Sequence, residues 1–131
     1  MPHWATPYIG WQYRRGASGP EYWDCWSFFR EVQSRNYGRA IPVLPTPPTW
    51  REIARAFPAW PAQHGWMPAD APRDGDAVSM ARLREPTHVG VWVADLKSVL
   101  HCADGSGSVL HDARHLAAAG WRVRGYFSPG D

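Results

Sequence analysis

Glu21-Tyr22-Trp23-Asp24-Cys25-Trp26-Ser27-Phe28-Phe29-Arg30-Glu31-Val32 is the stretch on which the fold turns. Ahead of it Ala17-Ser18-Gly19-Pro20 is turn chemistry, and within it Phe28, Phe29 and Val32 recur at the spacing of a helix packed on a core. A helix therefore begins near Asp24 and runs to about Asn36, ending before Gly38. Asp24 is a good N-cap, which leaves Cys25 in the first turn, where unpaired N–H groups and the positive end of the helix dipole favour a thiolate. A cysteine so placed is a candidate nucleophile. It is equally a small buried apolar residue, as free cysteines usually are. Histidines elsewhere in the chain have to decide.

Working outward, residues 8–13 (YIGWQY) form a short apolar segment that enters the loop 14–20. On the other side, 40–48 (AIPVLPTPP) is a proline-rich connector, too stiff for helix. Thr49 then caps a second short helix, 50–57, with Trp50, Ile53, Ala54 and Phe57 on one face. The segment 58–72 is a loop rich in Pro and Trp, and 50–66 could line a groove, cover a small core or dock a partner protein. From Gly75 the pattern is β. Strands are expected over 76–81 (DAVSMA), 87–93 (THVGVWV) and 98–103 (SVLHCA), followed by a tight turn over 104–107. A helix over 112–119 ended by Gly120 and a closing strand over 121–127 (WRVRGYF) complete the chain. Helices first and antiparallel strands after is an α+β layout.

Two histidines can be tested by register. A hairpin through 94–97 with its turn centred between Ala94 and Asp95 sets His88 opposite His101 on one face of the sheet, with Cβ atoms roughly 4.5–5.5 Å apart. One imidazole can then accept the thiol proton while the other holds its second nitrogen and fixes the tautomer. Cys102, next to His101, must face the core. His111 and His115 stand four apart, as two metal ligands on a helix would, but no third ligand accompanies them, so a polar helix face is the simpler reading.

Composition narrows the function further. At 131 residues the chain is expected to be one domain, 1–131, and 44% hydrophobic with 20% charged residues is that of an ordinary folded protein. A net charge of +2 with no basic run is not the footprint of a nucleic-acid binder, though it suits an acidic wall polymer. No signal-like start and no long apolar run are present, so the expected product is made in the cytoplasm without membrane insertion. Two cysteines make neither a disulfide framework nor a metal knuckle, and no cofactor is called for.

Asp24-Cys25 at a helix start, Gly75-Asp76 before a strand, His88-Val89-Gly90-Val91 in the next and Leu100-His101-Cys102 after it resemble the NlpC-type cell-wall endopeptidases. These are papain-like cysteine peptidases of bacteria and their phages. Tyr13, within Gly10-Trp11-Gln12-Tyr13, stands where that family has an upstream tyrosine. The resemblance implies a papain-like α+β fold, an N-terminal catalytic helix on a C-terminal antiparallel sheet. It implies Cys25 as nucleophile, His88 as general base and His101 as the orienting third residue, with Tyr13 helping to hold the oxyanion and Asp24 forming part of the substrate pocket. Trp26 and Ser27 replace the family's Ser-Gly, and Trp26 is expected either to fill a substrate subsite or to push the helix off the sheet. The implied reaction is hydrolysis of an amide in the peptidoglycan stem peptide. Asp24-Cys25-Trp26 is similar to the short tail-tip peptidases of long-tailed phages, which implies delivery in a virion tail beside other tail-tip proteins. An interbacterial amidase toxin and a catalytically silent tail subunit of the same fold are the alternatives.

Overall fold

The computed structural model describes residues 3–44, 52 and 55–130. The helix built on the opening stretch is α1, Cys25–Tyr37. Both ends are set by local chemistry. The Ser27 N–H donates to Asp24 Oδ1 at 2.8 Å and the Asp24 N–H donates to Ser27 Oγ at 3.0 Å, a reciprocal capping box. At the other end Gly38 takes the left-handed conformation at φ +65°, and its N–H and that of Arg39 reach back to Ser34 and Gln33 carbonyls.

Phe28, Phe29 and Val32 are completely buried, each worth about 1.5–3 kcal/mol of apolar transfer. They meet Val89, Val91, Val93, Leu100 and Cys102 in one cluster. Buried Gln33 fastens the same helix to the chain entering the sheet: its Nε2 donates to the Gly75 carbonyl at 2.8 Å, and its Oε1 accepts from Arg39.

Ahead of α1, β1 (Gln12–Tyr13) and β2 (Tyr22–Trp23) pair in parallel and hold Tyr13 beside the segment that leads into Asp24. After it come a 3-10 turn, Phe57–Ala59, and the single turn α2, Trp60–Gln63. The expected helix 50–57 and its Thr49 cap lie largely outside the described residues; Phe57 itself opens the 3-10 turn. Trp60 and Trp66 are buried against Phe29, so this part of the Trp-rich segment covers the core.

The main sheet has, among the described residues, six antiparallel strands: β3 (Trp66–Pro68), β4 (Ala77–Ala81), β5 (His88–Val93), β6 (Ser98–Ala103), β7 (Gly107–His111) and β8 (Arg122–Pro129), in the order β3-β8-β4-β5-β6-β7. A short helix, α3 (Ala113–Ala118), capped by Asp112, precedes β8. The sheet is covered on both faces. Helix α1 packs on one, and a second cluster of Val78, Met80, Val99, Ala103, Leu116 and Trp121 lies on the other. Asp76, 1% exposed, ties the turn before β4 to β8: its carboxylate accepts from the Arg73 N–H and the Ser128 hydroxyl.

The α+β class and papain-like arrangement hold. Three expectations do not. β3 falls in a segment expected to be loop, and β7 begins where only a turn is expected. The β5–β6 hairpin sets Val91 against Leu100 and Val93 against Ser98, so all of 94–97 lies in the turn and the register differs by two residues from the expected one.

Candidate active site

Because strand side chains alternate, a two-residue shift keeps every residue on its own face. His88 and His101 are therefore still neighbours, but across a diagonal rather than directly opposite. Opposite His101 stands Gly90. A methyl group there would run into Val99 Cγ1 and lie 3.0 Å from His101 Cβ. The missing side chain leaves the space in which the two rings meet, with His88 Nε2 and His101 Nδ1 2.8 Å apart. Both residues are buried, at 4% and 1% exposure.

The His88 ring is clamped from the other side by Trp121, stacked at 4.3 Å and 14°. The Arg82 guanidinium lies over the far face of that indole, 4.1 Å from the ring centroid. Trp121 is a site residue that sequence reasoning missed, since it lies 33 positions after His88 and is placed by β8 pairing with β4. Burial lowers the His88 pKa well below the usual imidazole value, and the neighbouring His101 and Arg82 push the same way. Burial, then His111 and Arg82, take His101 down to about 3. Both rings are neutral at physiological pH.

Cys25 opens α1 on the opposite side of β5. The residue keeps some exposure, but its sulfur is enclosed by protein, and the Val89 N–H points at it. That N–H belongs to the peptide bond joining His88 to Val89 in β5. Among the described residues no hydrogen bond joins Cys25 to His88. The expected depression of the thiol pKa is reversed: burial pushes it up to about 12, the Asp24 charge adds to this, and the backbone N–H groups only partly offset both. The cap that gives Cys25 its helix-terminus position also sets a carboxylate beside the sulfur.

Tyr13 is half-buried near the same thiol. Burial, then the nearby Cys25 and Asp24, raise its phenol to about 12, so it stays a hydrogen-bond donor across the physiological range. Asp24 is the N-cap, its carboxylate held by the Ser27 N–H. Trp26 departs from expectation. It turns into the core at 7% exposure, edge-on to Trp60 and Phe57, with its indole N–H donating to the Pro42 carbonyl. One position along a helix rotates a side chain by about 100°, which carries residue 26 to the core side. Trp26 does not push α1 off the sheet, since both lie in one packed cluster. Cys102 faces the core as expected, its thiol directed at the Trp23 carbonyl.

His111 and His115 do not share a helix, since His111 ends β7 and α3 begins after Asp112. Instead His101 Nε2 stands 3.2 Å from His111 Nδ1, and the His111 ring stacks on His115 at 5.7 Å. Among the described residues no group of three or more His, Cys, Asp or Glu side chains could hold a metal ion.

Two buried imidazoles in series, a cysteine at a helix start and a phenol beside it are the parts of a thiol–imidazole acyl-transfer site. Comparison with known proteins bears on the fold around them. The crystal structure of the NlpC/p60 domain of the peptidoglycan hydrolase SagA superposes with a TM-score of 0.64 over 95% of this chain and 92% of that one, at 18% identity. No curated protein matches the sequence. The NlpC/P60 family model matches residues 10–124, from the loop ahead of Tyr13 through all three histidine strands and into β8, and the chain belongs to the NlpC/P60 family.

Proposed function

We propose that the protein is a cysteine-dependent peptidoglycan endopeptidase that hydrolyses an amide of the stem peptide through a thioester on Cys25. The observation that carries this is the buried 2.8 Å contact between His88 Nε2 and His101 Nδ1. It occupies Nε2 of His88 and leaves Nδ1 as the nitrogen that can take a proton from a thiol. Thiol and imidazole are both neutral at rest, so proton transfer accompanies attack.

In that reaction Cys25 Sγ bonds to the substrate carbonyl carbon as its proton passes to His88 Nδ1. Tyr13 Oη and the Cys25 N–H stabilise the oxyanion. Collapse breaks the C–N bond, and the leaving amine takes the proton back from His88. Water, deprotonated by the same nitrogen, then hydrolyses the thioester. His101 holds the His88 tautomer by accepting from its Nε2–H. Family membership and the likeness to a peptidoglycan hydrolase domain support a wall peptide as substrate.

The test is product chemistry. Purified protein should release new amino groups from peptidoglycan and no new reducing sugars, because among the described residues the site has no carboxylate pair for glycoside cleavage. Reducing ends without amines would contradict the reading. For where it acts we propose a phage tail, alongside other tail-tip proteins, supported by the likeness of Asp24-Cys25-Trp26 to tail-tip peptidases. Neighbouring tail genes would favour this; a neighbouring immunity gene, the mark of an interbacterial toxin, would oppose it.

A further inference from the structure

His88, His101 and His111 form one diagonal row across β5, β6 and β7. His101 lies opposite Gly90, and pairing in the next hairpin sets Val109 against His101 and His111 against Val99. Each histidine is thus two positions further along than the last, on the same face. Adjacent rings meet Nε2 to Nδ1 at both steps, 2.8 Å and then 3.2 Å. Exposure rises along the row: His88 and His101 are buried, His111 is partly exposed, and His115 beyond it is exposed.

Neutral imidazole has one N–H, and that fixes the direction of the row. For His88 Nδ1 to accept from a thiol, its hydrogen must be on Nε2 and donate to His101 Nδ1. The His101 hydrogen must then be on Nε2, and its acceptor is His111 Nδ1. We propose that His111 is a positioning residue for the Cys25–His88 site: it holds the tautomer of both buried histidines and gives the proton taken from Cys25 a path towards the surface.

The inference rests on the catalytic reading of Cys25 and His88. Its proton balance is closed. As the thiol proton reaches His88 Nδ1, the Nε2 hydrogen of His88 moves to His101 Nδ1 and that of His101 Nε2 moves to His111 Nδ1. His88 and His101 stay neutral with exchanged tautomers, and the charge rests on His111. The reverse shift returns the proton to the leaving amine. The charged and titratable groups around the row favour this end for the charge. Burial and then His115 lower the His111 pKa and the Asp112 carboxylate partly offsets them, whereas at His88 and His101 burial is deeper, Arg82 opposes a cation as well and no carboxylate offsets it. Asp112 is also bound to His115 Nδ1 at 2.8 Å.

The experiment compares wild type with His111→Phe and His111→Asn, whose Oδ1 can take the place of Nδ1 as acceptor without titrating. Long-range ¹⁵N–¹H spectra of the imidazoles should show His101 in wild type and in His111→Asn as the Nε2–H tautomer alone. His111→Phe should mix the tautomers and lower kcat by about ten- to a hundredfold, as loss of an orienting partner does elsewhere, with KM little changed. His111→Asn, which keeps the acceptor but cannot hold the proton, should lower kcat less than His111→Phe does and carry the acid limb of kcat/KM to lower pH, a shift a merely structural residue would not cause. An unchanged His101 tautomer in His111→Phe, or an unchanged acid limb in His111→Asn, overturns the proposal. Should His111→Phe fail to fold by circular dichroism, the Asn variant decides alone. Absence of amine release by wild type, or its survival in Cys25→Ala, would instead sink the enzymatic reading, and the His101 tautomer would still decide whether His111 orients the row.

Discussion

The Asp24 carboxylate both starts α1 and faces the Cys25 sulfur, and the two roles can be separated by substitution. Asp24→Asn keeps a capping acceptor and removes the charge. The apparent pKa of Cys25, read from the rate of iodoacetamide labelling against pH, should fall while staying above that of a free thiol, because burial is the larger cause. Asp24→Ala loses the cap as well and should cost about 0.5–2 kcal/mol in denaturant unfolding. An unchanged labelling profile in Asp24→Asn would show that the charge does not reach the thiol. The histidines should be unequal too. On the proposed mechanism His88→Ala removes the group that moves the proton, and amine release should drop close to the Cys25→Ala level. His101→Ala should be intermediate and His101→Asn mildest, since Oδ1 can still accept from His88 Nε2. Full activity in His101→Ala would move the orienting role elsewhere.

Gly90 makes β5 and β6 a site rather than only a hairpin. Gly90→Ala asks Val99 and His101 to give way in a packed sheet, which should cost about 1–3 kcal/mol. Activity should fall by more than the lost folded fraction explains, because the ring contact is displaced. A variant with normal turnover would show that the diagonal contact tolerates movement. At this scale the sequence was readable where periodicity or capping was strong: α1, β4, β5, β6, α3 and β8 stand within about two residues of expectation. β7 was hidden because Asp104-Gly105-Ser106-Gly107 reads as turn chemistry and the few residues left before Asp112 carry no strand period, while Ser108 is held by Trp11 and Tyr8 backbone groups. β3 was hidden because three residues carry no period and owe their extended form to pairing with β8. The hairpin register differs because the turn is centred between Asp95 and Leu96, one position past the expected centre between Ala94 and Asp95, and each step of the centre moves the pairing by two residues. The shift was even, so the conclusion drawn from it survived.

Across the whole molecule, the covered sheet puts two neutral imidazoles in the interior, and this makes folding sensitive to acid. A histidine whose folded pKa lies below the unfolded value of about 6.5 binds fewer protons folded than unfolded. Stability therefore rises with pH in that window and is lost as pH falls below about 6.5, for His101 down to about 3. Urea midpoints at pH 7.5, 6, 5 and 4 should decline steadily, and His101→Asn should flatten the decline; a flat wild-type profile would contradict neutral burial. Cys25, His88, His101, Tyr13 and Asp24 can be proposed from sequence because their motifs fall in order along the chain. Trp121, His111 and Arg82 cannot, because only sheet pairing brings them to that face. The core packing of Trp26 was not legible because a large residue beside Cys25 reads the same whichever way its side chain turns. The most direct measurement is the intact mass of protein quenched in acid during turnover of a purified muropeptide. A mass gain equal to the acyl portion, mapped to the peptide containing Cys25 and lost with Cys25→Ala, is the predicted result. Amine release without any adduct on Cys25, continuing in Cys25→Ala, would contradict the account.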